Sequence, residues 1–321
     1  MSEIKIFAGT SAKVLAADVC RQLSIPLGAA DVGRFADGEV RVKDVEDVRG
    51  RDIFILNSLC PPAENWMEML LLVAACRGSS ARRITIVATY LGYNRQDRKM
   101  KGREPISAQV MLGILARSGC HRALMFDVHS EATLGVLHDH GVIVDHLYGS
   151  IVSSEYLRSV LTEDFRVGSP DKGGVPRAEA YAKILGLDIN DTIICLKRRK
   201  SDGEIDSDGI HIIGDVKDKD LLMVDDMVDT AGTIVENAKQ AKAEGAKRIF
   251  VFATHGLLSG PAIDRINASP IDEVVVTDSI PHDGVALVAK CPKIRILSIA
   301  ELLAKAIRRI HDEQSLGPLF Q

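Results

Sequence analysis

The 321-residue chain has no CxxC pair. Its six cysteines (Cys20, Cys60, Cys76, Cys120, Cys195 and Cys291) are scattered, a pattern of buried reduced thiols rather than of a disulfide frame or zinc site. It has no long apolar run. The longest, Met67 to Cys76, is broken by Glu68 and is too short to cross a bilayer. It has no excess of positive charge: the formal net charge is -4, which argues against a nucleic-acid binder relying on a basic face. A local basic pocket for phosphates stays compatible with that value. The opening MSEIKIFAGTS has no basic start followed by an apolar core, so it does not read as a signal peptide. These absences together lead us to expect a cytoplasmic protein with neither membrane nor nucleic-acid partners.

What is present is ordinary globular material, 46% hydrophobic and 26% charged, long enough for one large or two medium domains. Short runs rich in Val and Ile predict strands at 4–7, 53–56, 84–88, 123–126, 192–196, 221–224, 249–253 and 273–276. Helical spacing lies between them, as in 66–76 and in 233–243, where Ile234, Ala238 and Ala241 share a face. The alternation predicts an α/β fold, with mostly parallel sheets covered by helices on both sides. The two halves also resemble each other. DVRGRDIFILNS from Asp47 aligns with DVKDKDLLMVDD from Asp215, and ARRITIVAT from Ala81 aligns with AKRIFVFAT from Ala246. Two matched blocks in one order at a nearly constant shift point to a duplicated domain. The boundary is expected near Gly149, giving an N-terminal domain 1–148 and a C-terminal domain 149–321.

The strongest local signal is LLMVDDMVDTAGT, Leu221 to Thr233. The pattern reads as a strand ending at Val224, then Asp225 and Asp226, then a helix opened by Thr230-Ala231-Gly232-Thr233. Unpaired N–H groups at a helix start suit a phosphate, Gly232 lets it come close, and the threonine hydroxyls add hydrogen bonds. Asp225, Asp226 and Asp229 would repel that phosphate and are better used on sugar hydroxyls or a cation. A helix cap alone needs one such residue, not three aspartates around the turn. A sugar phosphate fits all the parts.

Two segments bear on a second ligand. Arg34-Phe35-Ala36-Asp37-Gly38-Glu39 offers an aromatic ring to stack on a base and carboxylates to accept from an exocyclic amine. Tyr93-Asn94-Arg95-Gln96-Asp97-Arg98-Lys99 offers guanidinium forks for phosphate oxygens. Asp127-Val128-His129 follows a strand and should also stand at the ligand edge, although a lone histidine is an unusual partner for magnesium. His138, His140 and His146 lack a zinc-ligand frame and read as surface loop residues. Lys197 to Gly209 is polar and glycine-containing, and starts as cations directly after a strand.

The TAGT loop resembles the signature with which phosphoribosyl diphosphate-binding proteins hold ribose and its 5-phosphate. That likeness leaves transferases and the synthetase of their substrate open. The RFADGE and YNRQDRK segments, with REPIS from Arg103, SPDKGG from Ser169 and SGPAIDRI from Ser259, extend it to the ribose-phosphate pyrophosphokinase family over nearly the whole chain. The resemblance implies an enzyme that moves the diphosphate of ATP to ribose 5-phosphate with Mg2+. It implies ATP contacts from Phe35, Asp37, Gly38, Glu39, Arg95, Gln96 and Asp97, and ribose 5-phosphate contacts from Asp225, Asp226, Asp229, Thr230, Ala231, Gly232 and Thr233. Metal-linked positions fall at His129 and Asp171, with Asp127 beside them, and the catalytic cations of a closing loop at Lys197 and Arg199. It further implies a homo-oligomer, a hexamer by family default, in which RFADGE reaches the ATP of a neighbouring subunit. Three places depart from the pattern. EATLGVL after Ser130 and the ending SLGPLF from Ser315 alter regions that build the family's phosphate and ADP regulatory site, so weak or altered phosphate activation is expected. Strict phosphate activation in a titration would overturn that expectation. Thr89 stands where a proline is usual.

Overall fold

The computed structural model describes residues 3–199 and 205–320, the side chains of 197–199 and 205–209 excepted. The strands are β1 (Ile4–Ala8), β2 (Asp31–Arg34), β3 (Val40–Lys43), β4 (Asp52–Leu59), β5 (Arg83–Leu91), β6 (Arg122–Phe126), β7 (Ile143–Leu147), β8 (Phe165–Ser169), β9 (Ile193–Arg199), β10 (Ile205–Ile213), β11 (Asp220–Val228), β12 (Arg248–Gly256), β13 (Glu273–Thr277) and β14 (Ile294–Leu297). The helices are α1 (Lys13–Leu23), α2 (Glu64–Gly78), α3 (Ser107–Arg117), α4 (Gly135–Asp139), α5 (Ser150–Val160), α6 (Val175–Leu185), α7 (Gly232–Ala243), α8 (Ala262–Asn267), α9 (Gly284–Lys290) and α10 (Ala300–His311). Among the described residues no helix is long and apolar enough to cross a membrane.

The chain forms two compact units, Met1–Tyr148 with Ser279–Pro281 and Ile299–Gln321, and Gly149–Asp278 with His282–Ser298. The first holds a parallel sheet in the order β1-β4-β5-β6-β7, and β2 and β3 pair only with each other as a hairpin. The second holds the sheet β10-β9-β8-β11-β12-β13-β14, parallel except where β10 meets β9. Strands such as β4 carry an unbroken apolar run, here 53–56, because both faces of the sheet are covered. In β11, Leu221 and Met223 enter one core beside Ile234 and Ala238 of α7. Leu222 and Val224 enter another beside Tyr181 and Ala182 of α6. Successive side chains leave a strand on opposite faces, so one run supplies two cores.

The internal repeat has a structural counterpart. Asp52 opens β4 and Arg83 opens its neighbour β5; Asp220 opens β11 and Arg248 opens its neighbour β12. In both units the arginine grips the aspartate with two nitrogens, Nε at 2.9 Å in the first and 3.1 Å in the second. In both, the same guanidinium donates to a carbonyl, that of Ile310 or that of Val160, at 3.0 Å. Burial works against ionisation of Asp220, but Arg248 with the N–H and hydroxyl of Thr162 outweighs it, and the carboxyl lies below its ordinary range.

The C-terminal segment differs from a simple cut at 149. Helix α10 buries Leu303, Ala306, Ile307 and Ile310 and packs on α1. His311 Nδ1 lies 2.8 Å from the buried Asp52 carboxylate. An apolar stripe on α10 and a last turn hydrogen-bonded to Asp52 therefore place 299–321 with the first unit. Thr89 is accounted for in the same unit: fully buried, it donates its hydroxyl to the Ser279 carbonyl at 2.7 Å, which a proline could not do.

Candidate active site

Strand β11 does not end at Val224. Its ladder with β12 continues through Asp225 opposite Ala253, Met227 opposite His255 and Val228 opposite Gly256. Backbone pairing outlasts the apolar run, so Asp225 and Asp226 are strand residues rather than the start of a loop. Asp226 is buried and Asp225 half-buried, and the Asp226 N–H donates to Asp225 Oδ1 at 2.9 Å. Burial, and then the neighbouring Asp226 carboxylate, push the Asp225 carboxyl well above the usual range; Arg177 pulls weakly the other way. Hydroxyl donors or a cation placed at this pair would offset that cost to its charged form.

Four residues after Val228 the chain enters α7. Ala231 sits in the left-handed region at φ 58°, ψ 7°, a conformation that costs a residue with a Cβ about 1–2 kcal/mol. The first N–H groups of α7 follow directly, and N–H groups at a helix start lack intrahelical partners, which suits them to an anion. Thr230 and Thr233 are exposed there. A second segment supports the turn: Leu258 N–H donates to Val228 O at 3.0 Å, Ser259 N–H to Asp229 O at 2.9 Å, and Arg265 to Thr230 O at 2.9 Å.

In the first unit, Phe35, Asp37, Gly38 and Glu39 form the tip of the β2–β3 hairpin, all exposed. Gly38 turns the chain at φ 96°, Phe35 and Glu39 are joined by an N–H···O bond of 2.9 Å, and Lys43 lies 5.6 Å from the Phe35 ring. Arg95, Gln96 and Asp97 follow β5 in a turn entered through Tyr93 at φ 64°. Arg95 is exposed and the other two are half-buried; the Ser107 hydroxyl bonds Gln96 Oε1. The buried Asn94 beneath them donates to Thr133 Oγ1 and accepts from Ser130 N–H, both at 2.9 Å. It thus joins this turn to the Asp127–Ser130 segment. Asp127 is buried and left-handed at φ 43°, and His129 is exposed.

The reading of all three later histidines as surface loop residues fails for His146. It lies on β7, mostly buried, and its Nε2 accepts the Val128 N–H at 3.0 Å. His138 is exposed in α4, and His140 follows it.

Asp171 belongs to the second unit, in the turn between β8 and α6. It is exposed, and its Oδ1 accepts Gly174 N–H at 2.9 Å. Among the described residues no three His, Cys, Asp or Glu side chains gather as a metal cluster. Asp171, an exposed carboxylate on the turn after β8, offers the oxygen ligand suited to a hard cation carried mainly by substrate phosphates, which needs no protein cage. Backbone pairing carries β9 past Leu196 through Lys197, opposite Ile210, to Arg199, opposite Ile205. The strand thus runs further than its apolar pattern indicated; the side chains of Lys197 and Arg199, and residues 200–204, lie outside the described residues.

Three supporting residues escape a reading along the chain. Arg265 acts on the anion turn from 35 residues away, Asn94 on Thr133 from 39, and Asn237 of α7 on the Pro170 carbonyl from 67. Arg265 falls within the SGPAIDRI match, but nothing in its neighbourhood says which backbone group it holds.

Fold and loop define a class first: an α/β transferase built from two copies of one domain, with paired carboxylates leading into a left-handed turn at a helix start. Comparison with known proteins narrows it. The family model for the N-terminal domain of ribose phosphate pyrophosphokinase matches residues 4–119, and that for the phosphoribosyl synthetase-associated domain matches 173–321. The chain is 44% identical to a ribose-phosphate pyrophosphokinase from Campylobacter jejuni over the full length of both, and 44% identical to one from Helicobacter pylori over all of this chain and 97% of the relative. The crystal structure of a phosphoribosylpyrophosphate synthetase from Mycobacterium smegmatis is similar at a TM-score of 0.87 and 34% identity, over 97% of this chain and 100% of that one. This chain belongs to the ribose-phosphate pyrophosphokinase family.

Proposed function

We propose that this protein transfers the β,γ-diphosphate of ATP to the 1-hydroxyl of ribose 5-phosphate, releasing AMP and phosphoribosyl diphosphate. The observation that carries the reading is the left-handed Ala231 turn at the start of α7, three residues beyond β11, whose last four residues include Asp225 and Asp226. Strain of this kind concentrates where a ligand needs the backbone in one shape. In this reading the 231–233 N–H groups and the Thr230 and Thr233 hydroxyls seat the 5-phosphate. Asp225, Asp226 and Asp229 accept from the ribose hydroxyls.

The ribose O1 attacks the β-phosphorus, the bond from that phosphorus to the α-phosphate oxygen breaks, and the hydroxyl proton leaves to solvent. Such transfers depend on in-line placement and on neutralising oxygen charge. Lys197 and Arg199 supply positive charge to the transferring group. Phe35 stacks on the adenine, Asp37 and Glu39 accept from its amine with Gly38 shaping the tip, and Arg95, Gln96 and Asp97 hold the nucleotide. Asp171, His129 and, less directly, Asp127 would hold Mg2+. The ion would draw charge from the phosphate oxygens.

An exposed hairpin carrying Phe35 suits ATP bound by a second copy of the chain, in a cytoplasmic homo-oligomer, a hexamer by the family's habit. The first test is AMP release from purified protein with ATP and Mg2+, with and without ribose 5-phosphate. Sugar-dependent AMP matched by phosphoribosyl diphosphate supports the reading. Binding of both ligands by folded protein without AMP release refutes it and makes the chain a silent regulatory homologue.

A further inference from the structure

Asn237 lies in the middle of α7, fully buried, on a face shared with Ile234, Ala238 and Ala241. An amide on an apolar face lowers stability unless its hydrogen-bonding capacity is used. Here it is used in part: Nδ2 donates to the Pro170 carbonyl at 2.9 Å, and Oδ1 has no hydrogen-bond partner among the described residues. Packing alone favours an aliphatic side chain at this position, so packing does not account for the amide.

What the amide does is join two segments that the proposed reaction uses together. Helix α7 begins at the anion turn, and Pro170 directly precedes Asp171. The Asp171 turn has internal ties, from Ser169 Oγ to Asp171 O at 2.6 Å and from Gly174 N–H to Asp171 Oδ1 at 2.9 Å. Those shape the turn but do not locate it. The Asn237 bond reaches it from a helix 67 residues further along the chain.

We infer that Asn237 is a positioning residue that locks the Asp171 turn to the helix carrying the phosphate seat. The carboxylate offered to magnesium and the N–H groups offered to the 5-phosphate thereby keep one spacing. The inference rests on the metal role proposed for Asp171. Asn237 itself touches neither substrate nor ion; it acts through Pro170.

The test compares full-length wild type with Asn237→Leu, which removes both polar atoms, and Asn237→Asp, which keeps the shape and loses the donor. Amide hydrogen exchange is followed across the second unit in the absence of ligands. The Mg2+ concentration for half-maximal activity and the KM for ribose 5-phosphate are measured alongside. Loss of one neutral hydrogen bond corresponds to about threefold to tenfold. Exchange at residues 171–174 should quicken by that factor while α7 and β11 stay protected. The Mg2+ requirement should rise by a similar factor, with the KM for ribose 5-phosphate within about twofold.

Unchanged exchange at 171–174 overturns the inference. So does faster exchange spread evenly over the unit, or failure of both variants to fold, since either makes Asn237 a support of the fold alone. Locally faster exchange with an unchanged Mg2+ requirement upholds the tie and instead removes the metal role of Asp171, so the two failures are told apart.

Discussion

Replacing Gly232 by alanine should leave the protein folded and weaken its hold on ribose 5-phosphate. A Cβ built at Gly232 meets only Arg265 NH1 at 3.4 Å and Thr230 Oγ1 at 3.8 Å, both ordinary van der Waals contacts. Alanine is the better helix former, by up to about 1 kcal/mol, so Tm should rise by about 0–4 °C. The Cβ of a helical residue points back toward the helix N-terminus, which here is the space in front of the anion turn. A phosphate kept from that backbone loses one charge-assisted hydrogen bond, about 1.5–3 kcal/mol, or roughly tenfold to 150-fold in binding. The assay is initial-rate AMP release at saturating ATP with ribose 5-phosphate varied, beside a thermal melt. An unchanged KM in a folded variant refutes the seating of the phosphate on this turn. A Tm lower by more than about 4 °C, an unfavourable change of at least about 1 kcal/mol, refutes the claim that the position is sterically open.

The raised proton affinity of Asp225 means the folded state disfavours its charge. Its effect on stability is therefore unfavourable above the folded pKa and fades as pH falls toward the ordinary value of about 3.9. Asp225→Asn should raise Tm at pH 7 and abolish activity, with the gain shrinking in melts at progressively lower pH; a Tm loss at pH 7 contradicts this. Asp220 has the opposite sign, its carboxyl lying below the ordinary range. Its stabilisation is present above about pH 4 and is lost as pH falls through the folded value. Asp220→Ala should cost about 2–4 kcal/mol in urea unfolding at pH 7, less than a wholly buried pair, because Arg248 keeps 36% of its side-chain surface. Asp52→Ala should loosen α10 in particular, since Asp52 also meets His311; limited proteolysis should then cut first near 299–320. Lys197→Ala should lower kcat by at least about 100-fold, the scale of one lost transition-state donor, and leave ribose 5-phosphate affinity within about threefold. Equal losses in both would make Lys197 a binding residue.

Strands buried on both faces were legible because each is a continuous apolar run, and the anion turn was legible because its parts lie within nine residues, Asp225 to Thr233. The unforeseen strands β2, β3, β7, β8, β10 and β14 lack that signature: β2 and β3 form a hairpin rich in charged residues, β7 carries Asp145 and His146, and charged residues also interrupt β8, β10 and β14. Where β11 and β9 end was misjudged for one reason. Hydropathy stops at Val224 and Leu196, whereas backbone pairing with β12 and β10 continues.

The sequence by itself determined the duplicated α/β architecture, the carboxylate pair and the anion turn, because each depends on neighbours along the chain. Only the tertiary structure decided which unit takes α10, what Thr89 bonds, why Asp225 resists ionisation, and which distant groups Arg265, Asn94 and Asn237 hold. Burial and hydrogen bonding across 35 to 190 residues arise only when the sheets assemble and bring those groups within bonding distance.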